Sequence, residues 1–407
     1  MDDVNSSIAT SDAVGVGSAP VERRAPRPPR IRELDGLRAI AILLVIACHY
    51  HAFASVLGGI FQFGWVGVDI FFVLSGFLIT SILLKTKGSS NALRLFYTRR
   101  FQRILPPLAI ALLLISLGCI LTRDLTFFRP TSLLRNVLFL QAFRGCRTFW
   151  AKLVSHQFVS LAPGELPLVG GGVDGTLSGS ASVLWSLSIE EYFYLLWAPV
   201  VLYLGRRAVT FAGIAICAIE FFLRWMCFAG WANYFSVFYR FDALIYGALV
   251  ALSMDTIRRH LLWMRVLLPT ILAVSIAGLA IVLAFLGPIM GREIRQSALF
   301  MVVGMPLISV SVAALVALLV LRTGSRGLAA TALRLGPMAG IGTVSYTLYL
   351  VHVFFYLLVA RMLGKGWYGA LAGLALATVF AVASWRLVEA PILAGTLRLP
   401  FRRKGRT

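Results

Sequence analysis

Residues Glu33 to Phe53 read ELDGLRAIAILLVIACHYHAF. Two acids and an arginine open the stretch, an apolar run follows, and His49 stands near its end. Read as a helix, Arg38 and His49 are eleven residues apart. Eleven steps of about 100° bring both side chains back to one face. The rise between them is about 16 Å, roughly half the hydrocarbon thickness of a bilayer. The stretch therefore reads as a membrane helix that aligns a guanidinium near one surface with an imidazole at depth. Ionisable groups in lipid are costly and mark functional interiors, so both are candidate site residues rather than anchors.

The rest of the chain agrees with a membrane setting. Of 407 residues, 59% are hydrophobic and 14% charged, against about 25% charged in soluble domains. This predicts an all-α, polytopic integral membrane bundle and excludes an ordinary soluble enzyme between the apolar runs. Ten spans are expected, near 36–57, 64–84, 105–122, 184–204, 208–229, 236–254, 264–287, 297–321, 338–361 and 367–389. The formal charge of +21 does not point to nucleic acid, because Lys and Arg cluster between the apolar runs. With the N-terminus inside, 24 of the 38 fall on the inner side and 10 on the outer, as the positive-inside rule requires.

Residues 1–33 read as a disordered cytoplasmic tail, 34–392 as the membrane domain and 393–407 as a basic cytoplasmic tail. The long outer connection, 123–183, carries in its first part SLLRNVLFLQAF, apolar enough for an interfacial or re-entrant helix. Its Gly170, Gly172 and Gly175 form a GxGxxG pattern, but no strand precedes it, so it reads as a flexible loop. Four of the five cysteines sit in apolar runs, so no disulfide framework is expected. No metal-ligand spacing occurs.

Several polar residues do not belong in lipid. Asp69 lies in the outer half of the second span, above Ser75 and Gly76, with His49 as its expected partner. In TRRFQRILPP, Arg100 and Arg103 share a helix face, and paired guanidiniums make a bidentate phosphate clamp. Topology and lipid anchoring are the plainer reading of those arginines. Pro106 and Pro107 are expected to start the third span. Ser186, Glu190 and Tyr194 recur at i, i+4 and i+8 on one face of the fourth span, while Glu191 lies about 100° round, towards solvent. Arg240 and Asp242 are too close to share a face, so each should pair across helices. Ser345, Tyr349 and His352 share a face of the ninth span, and Arg386 and Glu389 should form an i, i+3 ion pair.

These motifs, in this order, resemble acyltransferase family 3, bacterial membrane acyltransferases that modify extracytoplasmic sugars and some small natural products. The resemblance covers about residues 32–392. It rests on LDGLRAIAILLVIACHYH with Arg38 and His49, GWVGVDIFFVLSGFLIT, TRRFQRILPP, WSLSIEEYFYLLWAP, RFDALIYGAL and VSYTLYLVH. It implies an acetyl-CoA-dependent O-acetyltransferase in the bacterial plasma membrane, both termini cytoplasmic. The donor is acetyl-CoA or another acyl-CoA, and the acceptor is a sugar hydroxyl or a small metabolite. It further implies His49 as the central catalytic group and Arg38, Arg100 and Arg103 as residues that hold the cofactor-like donor. Asp69 or Glu190 is then expected to orient His49, and Ser186, Tyr349, His352 and Asp242 to meet the acceptor. No bound cofactor or metal is expected. Ala39 and Ala198 depart mildly from the family pattern. Many members also continue into a soluble esterase-like domain, which is not expected here. A carrier for an anionic lipid or solute, with the same charges as its pathway, is the competing class, and a catalytically dead scaffold is a third.

Overall fold

The computed structural model describes residues 31–50, 63–143, 176–226, 234–286 and 293–396. The GxGxxG stretch, His51, Cys146, Cys227 and most of both polar tails lie outside them. Among the described residues there are helices and turns and no strand. In chain order the helices are α1 (Arg32–His49), α2 (Val66–Thr86), α3 (Ala92–Leu121), α4 (Pro130–Val137), α5 (Leu184–Tyr203), α6 (Arg206–Met226) and α7 (Phe241–Arg259). They continue with α8 (Leu261–Leu286), α9 (Met305–Leu321), α10 (Leu328–Arg334), α11 (Gly336–Leu363), α12 (Trp367–Ser384) and α13 (Ala390–Ala394).

Every expected span corresponds to a helix, and the chain is a multi-pass helical membrane protein. Among the described residues, seven helices are long and apolar enough to cross a bilayer by length and composition. The other three expected spans, α1, α5 and α7, fall short because they carry the acids and bases: Glu33, Asp35 and Arg38; Glu190 and Glu191; Asp242 and Asp255. Burial within the bundle makes Glu33, Asp35 and Asp242 tolerable. Helices α6 and α8 do the reverse, exposing Phe211, Phe222, Trp225, Leu262, Trp263 and Phe285 on faces suited to lipid chains. In the outer connection, α4 presents exposed Leu133, Leu134 and Val137, in keeping with an interfacial helix.

Two contacts set the bundle's register. Helices α2 and α7 meet at Gly76 and Gly247, where a Cβ on either would overlap the partner's backbone, at the Leu244 and Val73 carbonyls respectively. Small residues are what let membrane helices approach this closely. Helix α1 runs alongside α11 in the same direction. Gly342 abuts the Asp35 carbonyl at one end, and the Tyr50 hydroxyl donates to the His352 carbonyl at the other, 2.9 Å away. The start of α1 is further fixed by Glu33, which accepts from Arg334 at 2.9 Å and from the Gly324 N–H at 2.9 Å. The Lys87 ammonium caps the end of α5 through the Val201 and Leu204 carbonyls.

Gly76→Leu is expected to lower the thermal unfolding midpoint and the yield of folded protein sharply. Overpacking costs about 1–3 kcal/mol, and here the obstacle is backbone. Gly340→Ala, where a Cβ meets open space, should be neutral or gain up to about 1 kcal/mol of helix propensity. Equal unfolding midpoints for Gly76→Leu and wild type would contradict the close approach.

Two local expectations are corrected. Helix α3 starts at Ala92, so Pro106 and Pro107 lie inside it and do not begin it. Arg100 and Arg103 lie on this helix, as their spacing required. Arg386 and Glu389 do not pair. The turn Trp385–Glu389 is π-helical, and its wider winding spoils the i, i+3 alignment. Arg386 is exposed, while the Glu389 carboxylate accepts from Thr347 at 2.6 Å and Ser384 at 3.1 Å.

Candidate active site

A cavity of about 740 Å³, including its open mouth, lies between α1, α2, α3, α5 and α11. Arg38, Arg100 and Arg103 line one part of it, Phe71, Phe72, Ser186 and Tyr349 another, and Ser75, Glu190 and Tyr194 complete the wall. Sequence spacing put Arg100 and Arg103 on one face of a helix, and the fold turns that face towards Arg38. Arg38 makes a long ion pair with Asp35, 3.4 Å. Arg100 lies over the Tyr194 ring, 5.1 Å from its centroid. Among the described residues, neither Arg100 nor Arg103 has a carboxylate within ion-pairing distance. This part of the cavity therefore concentrates positive charge that the protein does not neutralise by direct pairing, a setting suited to phosphate groups.

Glu190 is held in the wall by two donors, the Ser75 hydroxyl at 2.9 Å and the Tyr194 hydroxyl at 3.0 Å. It lines the cavity with the arginines, and the hydrogen bonds of its carboxylate among the described residues go to Ser75 and Tyr194. Neither Ser75 nor Tyr194 was recognised in the sequence as a partner of Glu190, although Tyr194 shared its face. Glu191 is not solvated as expected. One of its carboxylate oxygens is buried without a hydrogen bond, because the neighbouring helices close over that side of α5. Ser186 and Tyr349 bond to each other at 2.6 Å. Both hydroxyls also reach the Val183 carbonyl, Tyr349 at 3.0 Å and Ser186 at 3.4 Å, so either can be the donor between them.

The histidines sit beyond Tyr349. The His352 ring is 5.7 Å from that of Tyr349 and 5.1 Å, edge-to-face, from that of His49. His49 Nδ1 is 2.8 Å from the Val45 carbonyl. A carbonyl only accepts, so Nδ1 carries the proton and the basic lone pair is on Nε2. His49 and His352 are not among the described residues lining the cavity. The link from the cavity to His49 runs through Tyr349 and His352.

Asp69 and Asp242 belong elsewhere. Asp69 pairs with Arg240 at 2.7 Å, not with His49. The register set at Gly76 and Gly247 brings it beside α7, and Arg240 offers the stronger, permanently charged partner. Asp242 pairs with Arg224 at 2.7 Å and is set apart from the cavity. Glu220 accepts from the Phe241 and Asp242 N–H groups at 3.0 and 2.9 Å, satisfying the start of α7. Arg240 and Asp242 thus each pair across helices, as their spacing required. Aromatic rings cover this cluster: Arg240 lies over Phe72 and Tyr234, and Arg295 over Tyr234 and Trp65.

The sequence model of a family described as acyltransferase domain matches residues 31–386. The chain belongs to that family. Among curated proteins it is 34% identical over 171 residues to the peptidoglycan O-acetyltransferase OatA of Listeria monocytogenes, covering 41% of this chain and 23% of that protein. It is 35% identical over 175 residues to a putative O-acetyltransferase of Staphylococcus aureus, covering 42% and 24%. With the putative peptidoglycan O-acetyltransferase YrhL of Bacillus subtilis it shares 32% over 196 residues, covering 46% and 27%. The matched stretch spans about a quarter of the length of these relatives. No solved structure matches the chain.

Proposed function

We propose that the chain transfers an acetyl group from acetyl-CoA to a hydroxyl of an extracytoplasmic sugar, working in the bacterial plasma membrane with both termini in the cytoplasm. The observation that carries the reading is the cavity that joins Arg38, Arg100 and Arg103. Among the described residues neither Arg100 nor Arg103 has a direct carboxylate partner, and both sit beside walls of aromatic and hydroxyl side chains. The phosphates of the nucleotide bind the arginines, and the pantetheine arm extends through the cavity towards Tyr349. The names of the relatives make a cell-wall glycan the first acceptor to test.

In the transfer step the acceptor oxygen attacks the thioester carbonyl carbon, and its proton passes to His49 Nε2. The carbon–sulfur bond then breaks, and the CoA thiolate leaves with the proton that His49 returns. The products are the acetyl ester and CoA thiol, with His49 neutral again. Proton transfer by a placed side chain contributes about 10²–10⁴-fold. Membrane vesicles given labelled acetyl-CoA test the reading. Label in an alkali-labile ester on glycan supports it. CoA-independent movement of solute without acetylation overturns it in favour of a carrier.

Glu190 has the role of fixing the arginine end of the cavity. Glu190→Gln keeps the shape but removes the charge facing the arginines and leaves one of the two hydroxyl donors facing an amide. It should lose much of the transfer rate while acetyl-CoA binding persists. Glu191→Gln should do less harm, since Glu191 meets no donor with its buried oxygen. Paired measurements of labelled acetyl-CoA binding and acceptor acylation check this, and a reversed order would move the role to Glu191.

A further inference from the structure

The buried interior holds a second imidazole that the proposed transfer step does not use. His352 is fully buried. Its Nδ1 is 2.7 Å from the Tyr349 carbonyl, so Nδ1 carries the proton. The lone pair is then on Nε2, which is buried and has no hydrogen-bond partner. A buried polar atom left unpaired costs about 1–3 kcal/mol and calls for a reason. Three rings surround His352: His49 at 5.1 Å, Tyr349 at 5.7 Å and Tyr50 at 6.4 Å. Of these, only His49 is a base. The Tyr50 hydroxyl also holds the His352 backbone carbonyl, so the residue next to His49 in α1's sequence fixes the height of His352 on α11.

We infer that His352 is a positioning residue for His49, its spare Nε2 lone pair holding the protonated His49 ring in place during transfer. This rests on the proposed role of His49 as base. When His49 takes the acceptor's proton its ring becomes a cation, and both ring nitrogens are then donors. Nδ1 remains on the Val45 carbonyl. A small tilt of the His49 ring lets its Nε2–H share its hydrogen with the His352 lone pair until the departing thiolate takes it. No proton is gained or lost by His352 over the cycle. Between turnovers the His49 ring is neutral, and this is the state in which His352 Nε2 is unpaired.

Two substitutions separate this role from a structural one. His352→Asn retains an N–H near the Nδ1 position, for the Tyr349 carbonyl, and loses the acceptor at the far end of the ring. His352→Gln reaches further and places an acceptor oxygen near the Nε2 position. A hydrogen bond to a charged group is worth roughly ten- to a hundred-fold in rate, so His352→Asn should lower kcat by about that factor. His352→Gln should stay within about tenfold of wild type, and in both the KM for acetyl-CoA should change by less than about twofold. A structural role reverses the order, with Asn the milder change, and that result overturns the inference. Two variants with wild-type kcat overturn it as well. If His352→Asn does not fold, His352→Gln decides alone, and a folded Gln variant as inactive as His49→Ala contradicts the role. Full activity in His49→Ala would instead remove the base itself, so the two failures are distinguishable.

Discussion

His49→Ala abolishes acetyl transfer while the protein reaches the membrane and binds acetyl-CoA as wild type does. The reason is geometric. His352 is fully buried, whereas His49 is half-buried, so His352 does not meet an acceptor hydroxyl in place of His49. The His49 side chain takes no part in the ion pairs among the described residues that fix the bundle, so the fold should tolerate its removal. Loss of a general base costs about 10²–10⁴-fold. Label transferred to acceptor, normalised to folded protein and compared with acetyl-CoA affinity, checks it. Near-normal turnover in a folded His49→Ala variant would place the chemistry elsewhere.

Arg100→Ala and Arg103→Ala weaken acetyl-CoA binding and leave acceptor binding nearly unchanged. Each removes a charge-assisted phosphate contact, worth about 1.5–3 kcal/mol or roughly ten- to a hundred-fold in affinity. Among the described residues neither guanidinium has an ion-pair partner whose loss would confuse the result. Arg→Lys at either position should restore affinity only in part, because the planar fork is lost. Calorimetric titration of acetyl-CoA into detergent-solubilised protein measures it. Unchanged affinity in both alanine variants would return these arginines to setting topology.

Much of the bundle was legible because lipid demands it. Apolar runs of the right length and the sidedness of Lys and Arg located every long helix that the structure describes. The helical period likewise gave the shared faces of Arg100 with Arg103, and of Tyr349 with His352. What the period cannot show is which face meets which. Asp69 and His49 were matched by depth alone, and depth does not distinguish neighbours around a bundle. The contact that decides it, Gly76 against Gly247, joins helices about 170 residues apart and turns Asp69 towards Arg240. The surroundings of Glu190 are hidden for the same reason: its i+4 partner Tyr194 is visible in the sequence, but Ser75 comes from α2 and the arginines from α1 and α3. The Arg386–Glu389 pair failed locally, since nothing in WRLVE announces a π turn.

The most direct test is a cryo-electron-microscopy structure with a thioether analogue of acetyl-CoA bound. The prediction places the nucleotide phosphates within hydrogen-bonding reach of Arg100 and Arg103, and the sulfur at the opposite end of the cavity, beside Tyr349 and the two histidines. A bound analogue whose phosphates lie away from these arginines, or whose sulfur points away from His49, would contradict it.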